Sequence, residues 1–196
     1  MSLLEAFLLG LIQALTEFLP VSSSGHLEIG QALLGLKAEN LTFSIIVHFG
    51  TALSTIVVFR KDIIEILRDV LRFRNTPNTR FVILVAVSMI PAGIVGLFFK
   101  DQIESVFAGN IQAVGMALIY TAALLFFSYW APKFHEEVGV KAAWWMGIAQ
   151  AIAIIPGVSR SGSTLATGLL LKVSPQEAPR FSFLMVLPLI LAATLL

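Results

Sequence analysis

Hydrophobic residues run along this chain in long stretches, and polar residues gather into a few short clusters. A helix needs about 20 mostly apolar residues to cross a bilayer. Three stretches meet that requirement: residues 41–59, 81–99 and 111–130. A fourth begins at Phe181 and runs to Leu196; as helix it reaches about 24 Å, short of a full crossing. Two further apolar runs are interrupted. Residues 3–19 lead into "PVSSSGHLEIGQALLG", and residues 142–155 lead into "PGVSRSGSTLATGLLL". Each reads as a helix, then a cluster of proline, glycine and serine, then a second short helix. Irregular backbone at membrane depth is tolerated only where protein or a wet cavity surrounds it. The pattern therefore predicts an all-α, polytopic membrane bundle in which these two segments are re-entrant helix hairpins.

Charge sets the expected topology. Residues 60–80, "RKDIIEILRDVLRFRNTPNTR", hold six Arg or Lys against three Asp or Glu. The positive-inside rule places this short loop in the cytoplasm. Ile63, Ile64, Leu67, Val70 and Leu71 give it one apolar helical face. Residues 20–40 and the loop "KDQIESVFAGN" then lie toward the outer face, and "APKFHEEVGVK", with His135 as a plain loop residue, lies inside. Trp130, Trp144 and Trp145 suit an interfacial belt, and Pro91 and Pro188 read as helix kinks.

Composition agrees with lipid as solvent. The chain is 57% hydrophobic and 13% charged, where a soluble domain carries roughly a quarter charged residues. It has no cysteine, which excludes disulfide and thiolate chemistry. The first residues lack a basic region and a small-residue cleavage site, so they are expected to remain in the mature protein. No basic patch is interleaved with aromatics, so nucleic acid is not an expected partner.

The two interrupted segments resemble each other. "GLIQALTEFLPVSSSGH" (residues 10–26) aligns without a gap on "GIAQAIAIIPGVSRSGS" (residues 147–163). The offset of 137 pairs Gly10 with Gly147, Gln13 with Gln150, Ala14 with Ala151 and Val21 with Val158. It also pairs Ser22 with Ser159, Ser24 with Ser161 and Gly25 with Gly162. Three crossings lie between the copies, and an odd number inverts the second relative to the first. The chain then reads as one membrane domain, 1–196, with a first repeat over about 1–137 and a partial second over about 138–196. Two full copies need about 274 residues, so some 75 to 80 residues of the second are expected to be missing. Hairpins entering from opposite faces bring their polar tips into one cavity.

The tips carry the chemistry. Arg160 is the only charge between Lys141 and Lys172. A membrane arginine costs at least about 2.5 kcal/mol on the insertion scale and needs an anionic partner, either Glu17 or a phosphate matched by its fork. Gly157, Ser159, Ser161, Gly162, Ser163 and Thr164 favour phosphate, because small residues let backbone N–H groups approach an anion at a helix N-terminus. From the first tip, Ser22, Ser23 and Ser24 offer a hydroxyl nucleophile and phosphate donors. His26 suits a nucleophile or a general base. Glu17 can hold a divalent cation against phosphate oxygens or orient the histidine, and Gln13 shares its helix face. Glu28, His48 and Arg180 are weaker candidates; His48 lies within a crossing helix, and Arg180 either snorkels or approaches the cavity. The substrate class this implies is a phosphorylated lipid.

"QALTEFLPVSSSGH" and "PGVSRSGST" closely resemble the two signature motifs of the bacterial undecaprenyl-diphosphate phosphatase family, the integral-membrane type linked to bacitracin resistance, and "RFSFLMVLP" resembles a further family segment. The resemblance implies hydrolysis of undecaprenyl diphosphate to undecaprenyl phosphate and inorganic phosphate, recycling the carrier for peptidoglycan synthesis. It implies a divalent cation, Mg2+ or Ca2+, a site open to the periplasm or cell exterior, and a location in the bacterial cell (inner) membrane. The implied partners are a polyprenyl diphosphate lipid and the bilayer, with a homodimer as a further arrangement. Gln13 and Glu17 match the family's Glu/Gln-x-x-x-Glu motif, which shifts the metal-binding load to Glu17. Ser23 matches the serine acting at phosphorus, His26 the essential histidine, and Arg160 the diphosphate-binding arginine. Ser23 and His26 both stand as the nucleophile. A polyprenyl-phosphate flippase and an inactive C-terminally truncated fragment are the alternatives.

Overall fold

The computed structural model describes residues 1–36, 41–73, 75–107, 110–132 and 136–188; His135 and residues 189–196 of the fourth apolar run lie outside them. The described residues form ten helices and no strand, apart from one isolated bridge between Glu136 and Val173. In chain order these are α1 (Leu3–Phe18), α2 (Ser23–Leu33), α3 (Leu41–Val58), α4 (Arg60–Leu71), α5 (Pro77–Phe98), α6 (Lys100–Phe107), α7 (Ile111–Tyr129), α8 (Val140–Ile152), α9 (Arg160–Leu170) and α10 (Glu177–Leu184).

Local chemistry sets the ends that matter for the site. A capping box between Ser2 and Glu5 starts α1. Pro20 ends it, because the residue before a proline is pushed out of the helical region, and Leu19 is extended at φ −77°, ψ 144°. Ser22 then caps α2, its Oγ accepting from Gly25 N–H at 3.3 Å. The second interrupted segment repeats the serine cap on a different backbone, Ser159 being extended at φ −70°, ψ 117°. Ser159 caps α9, and its Oγ accepts from Gly162 N–H at 3.0 Å. Within each turn the outer serines face each other, Ser22 with Ser24 and Ser159 with Ser161, both at 3.3 Å. The offset of 137 thus carries over into three dimensions as two like serine caps.

Among the described residues two helices, α5 and α7, are long and apolar enough to cross a membrane. Their outward faces expose Leu97 and Ile119 at 79% and 70%, which suits contact with lipid. Their inward faces carry small residues and Ser88 and Thr121. α5 packs on α8, and with α10 they form a core of Phe81, Leu84, Val85, Ala143, Met146, Phe181 and Met185. Phe81 and Phe181 meet edge to face at 5.3 Å.

The close approach of α5 and α8 depends on Gly147. A Cβ built there falls 2.3 Å from the Ser88 carbonyl oxygen, whereas one on Gly10, its counterpart in the first segment, meets nothing within 4 Å. Gly147→Val should therefore lower the thermal midpoint in detergent, by the about 1–3 kcal/mol typical of overpacking. Gly10→Ala should hold or raise it, since alanine is about 1 kcal/mol the better helix former. Equal midpoints for the two variants would contradict this packing.

Several expectations need correction. The "KDQIESVFAGN" loop contains α6; its charged residues read as loop, yet Ile103 N–H closes a helical turn on Phe99 O at 3.0 Å. The fourth apolar element starts at Glu177 rather than Phe181, because Ser174 Oγ accepts from Glu177 N–H at 3.1 Å. α4 forms, but only part of its apolar side faces protein. Ile63 and Ile66 pack on the core, while Ile64, Leu67 and Leu71 are exposed. Arg180 does not line the cavity; its Nε donates to Asp62 Oδ1 at 2.9 Å, tying α10 to α4, and its guanidinium lies 5.1 Å from the Phe81 ring centroid.

Candidate active site

The two serine turns meet. Ser161 Oγ donates to Leu19 O at 3.4 Å, and Gly157 N–H donates to Ser24 Oγ at 3.5 Å. Gly157 sits at φ +89°, and a Cβ there would fall 2.7 Å from Val114 O on α7. Glycine is thus required on both backbone and steric grounds. Ser159 N–H donates to Thr121 Oγ1 at 3.0 Å, which fixes the second turn against α7.

Glu17 is the hub of the contact. Arg160 Nη2 donates to its Oε1 at 2.7 Å; Gln13 Nε2 donates to its Oε2 at 2.9 Å; Ser23 Oγ donates to the same Oε2. The carboxylate side chain is 8% exposed and the Arg160 side chain 23%. A buried charge is tolerable only when paired and hydrogen-bonded, and both oxygens of Glu17 are. Above the pair opens a cavity of about 320 Å³. Glu17, Ser22, Ser23, Ser24, Ser159, Arg160 and Ser161 line it, joined by Glu28, His48 and Gln150. Its walls mix hydroxyls, one cation and two carboxylates with apolar residues of the α8–α9 turn, among them Ile154 and Pro156.

Ser22 holds the first turn in a strained shape, at φ +68° and ψ 94°. Such backbone is disfavoured for any residue but glycine and asparagine. Its carbonyl lies 2.7 Å from His26 Nδ1. A carbonyl only accepts, so Nδ1 carries the proton and a neutral His26 keeps its free lone pair on Nε2.

The profile of the family described as "Bacitracin resistance protein BacA" matches residues 6–196, nearly the whole chain. The chain belongs to the BacA family. Among similar curated proteins, an undecaprenyl-diphosphatase from Bacteroides fragilis is 54% identical over 194 residues, covering 98% of this chain and 73% of the relative. An undecaprenyl-diphosphatase from Bacteroides thetaiotaomicron is 52% identical over 198 residues, covering all of this chain and 75% of the relative. A more distant one, from Methanosphaera stadtmanae, is 38% identical over 214 residues and covers 77% of that protein.

In this BacA-family chain the expected residues divide into groups. Glu17, Ser22, Ser23, Ser24, Ser159, Arg160 and Ser161 come together on the cavity wall. Gln13 is 1% exposed and sits behind Glu17. Gly157 and Gly162 form the turn without appearing among the wall residues; Gly162 permits close approach to Pro20 O, 2.9 Å from a Cβ built on it. Thr164 is also absent from the wall. It is fully buried, with Oγ1 2.8 Å from Arg160 O and 2.6 Å from Ser182 Oγ, so it braces the start of α9. His26 is half-buried and absent from the wall as well. Sequence reasoning gave little weight to His48, and it used Gln150 only as a marker of the repeat. The signal for Gln150 was there, since it is the partner of Gln13 at the offset of 137.

Proposed function

We propose that this chain hydrolyses undecaprenyl diphosphate to undecaprenyl phosphate and inorganic phosphate in a bacterial cell membrane. The observation that carries the reading is the Arg160–Glu17–Ser23 cluster beside a serine-lined cavity in an apolar helical chain. The names of the BacA-family relatives, undecaprenyl-diphosphatases at 52% identity and above over nearly the full chain, support the same substrate.

In the mechanism we infer, Arg160 receives the diphosphate through its guanidinium fork, whose remaining N–H groups match phosphate oxygens. Hydroxyls of Ser22, Ser24, Ser159 and Ser161 turn from their present partners to donate to the other oxygens. Ser23 Oγ is the nucleophile, because its hydroxyl already donates to Glu17. It attacks the terminal phosphorus while Glu17 takes its proton. The P–O bond to the bridging oxygen breaks and prenyl monophosphate leaves as an anion. Water then attacks the phosphoserine, the proton on Glu17 returns to Ser23 Oγ, and phosphate departs. His26 positions the first turn by holding the Ser22 carbonyl.

A divalent cation fits this donor set only when shared with substrate. No group of three Asp, Glu, His or Cys suited to a metal occurs among the described residues. Glu17 and Glu28 are the carboxylates on the cavity wall, while Gln13 Oε1, though without a hydrogen-bond partner, is buried behind Glu17 and off that wall. One or two carboxylates completed by substrate phosphate oxygens and water are a common magnesium arrangement. When bound, the cation would neutralise charge developing on the diphosphate.

The fold reading is that α1–α2 and α8–α9 are re-entrant pairs of an inverted repeat, entering from opposite faces, with α3, α5 and α7 crossing between them. The like serine caps at a separation of 137 support this. The basic 60–80 segment then lies in the cytoplasm and the cavity opens outward. The deciding assay is phosphate release from undecaprenyl diphosphate by the purified chain in detergent. We expect turnover with Mg2+ or Ca2+ and a loss of at least about tenfold in EDTA. No release under any cation condition, with the protein folded, would reject the hydrolase reading.

A further inference from the structure

Gln150 lies near the end of α8, 1% exposed, on the wall of the cavity. Both of its amide atoms, Oε1 and Nε2, are buried and lack a hydrogen-bond partner. Gln150 is not among the amides that exchanging oxygen and nitrogen would satisfy. Each buried unmet group costs about 1–3 kcal/mol, and most buried polar groups in folded proteins are paired. A folded core gains nothing from a glutamine in this state, and leucine would occupy similar space without the cost.

The counterpart in the first segment shows what differs. Gln13 uses its Nε2 on Glu17, four residues along the same helix. The residue four after Gln150 is Ile154. The second segment therefore keeps the amide and replaces the carboxylate that would occupy it. What remains is an uncharged donor and acceptor, both without partners, on a residue of a wall whose other polar groups include Arg160, Ser159 and Ser161.

We propose that Gln150 is a substrate-binding residue, its Nε2–H donating to a non-bridging oxygen of the diphosphate and its Oε1 accepting from a water or hydroxyl carried with it. The inference rests on the hydrolase reading of this cavity and adds a contact to it. Binding satisfies a polar group that is unmet in the free protein, so the amide favours the ligand-bound state without having to break an existing hydrogen bond.

The test separates a ligand contact from a structural one. Gln150→Leu in the 196-residue chain removes both polar atoms at similar volume. Its thermal midpoint without ligand should equal or exceed that of the parent protein. Its affinity for a non-hydrolysable probe, farnesyl methylenediphosphonate, should fall at least about tenfold, equivalent to about 1.4 kcal/mol. KM for the prenyl diphosphate should rise by a similar factor, with kcat changing less than KM. Gln150→Glu keeps the shape and adds a negative charge, so it should bind the probe more weakly than Gln150→Leu. Probe affinity within twofold of the parent in both variants would overturn the proposal. So would a ligand-free midpoint that drops in both with little change in affinity. Phosphate release by the parent is measured alongside. A parent that binds the probe without turnover rejects the hydrolase reading alone; turnover with unaffected variants rejects this inference alone.

Discussion

Arg160→Ala should lower kcat/KM for prenyl diphosphate hydrolysis by about 10²–10³-fold, the usual loss when one charge-stabilising donor is removed from a reaction centre. It should also destabilise the protein. Arg160 Nη2 is bound to Glu17 Oε1 at 2.7 Å, and the carboxylate side chain is only 8% exposed. Removing the arginine leaves that charge buried and uncompensated, a change that costs about 3–5 kcal/mol where one partner of a buried pair is deleted. Activity loss alone would then be ambiguous between chemistry and folding. The double variant Arg160→Gln, Glu17→Gln resolves it, because two neutral amides of fitting size can bond each other without a stranded charge. Its thermal midpoint in detergent should recover toward that of the parent, while hydrolysis stays as low as in Arg160→Ala or lower. Arg160→Lys keeps the charge but not the fork, and should fall between parent and alanine. A stable Arg160→Ala protein that hydrolyses within tenfold of the parent would remove the arginine from the mechanism.

The need for an anion beside Arg160 was legible in the sequence for a physical reason, with Glu17 and a phosphate as the two candidates. A lone arginine in a run as apolar as residues 142–171 demands an anion, and few glutamates lie in comparably apolar segments. The serine turns were legible too, because proline, serine and glycine have strong positional meaning at helix ends. What spacing could not convey is the direction in which a side chain points once the backbone has turned. Thr164 lies in the first turn of α9 and reads as a phosphate donor, yet it faces inward to Ser182. His26 carries the expected chemistry, but the strained Ser22 backbone brings its ring to a carbonyl and away from the cavity wall. Equivalence by repeat also has limits. Gly10 and Gly147 align, but only the second is pressed against another helix. Gln13 and Gln150 align, and only the first finds a carboxylate. Helix α6 was missed because eight residues with three charges carry too little periodic signal to stand out from a loop.

Ser23→Ala should reduce turnover by at least about 10³-fold while changing probe affinity by only a few-fold, because the nucleophile contributes to the transition state and little to ground-state binding. Stability should fall by about 1.5–3 kcal/mol, the net value of a lost hydrogen bond to a charged group such as Glu17. His26→Ala makes the contrast. His26 bonds to Ser22 O at 2.7 Å and is absent from the cavity wall. If it only holds the turn in place, its loss should cost about 10–10²-fold, the scale of a misplaced reacting group. Rates alone leave the two nucleophiles entangled, since either loss damages the same tip. The covalent intermediate separates them. A phosphoserine survives acid and is cleaved by alkali, whereas a phosphohistidine shows the reverse. Rapid quenching of the parent in acid, with label on the terminal phosphate, should retain label on the protein. Ser23→Ala should retain none, and His26→Ala should retain a reduced amount with the same acid stability. An alkali-stable, acid-labile adduct that persists in Ser23→Ala would make His26 the nucleophile and reduce Ser23 to a hydrogen-bond partner of Glu17.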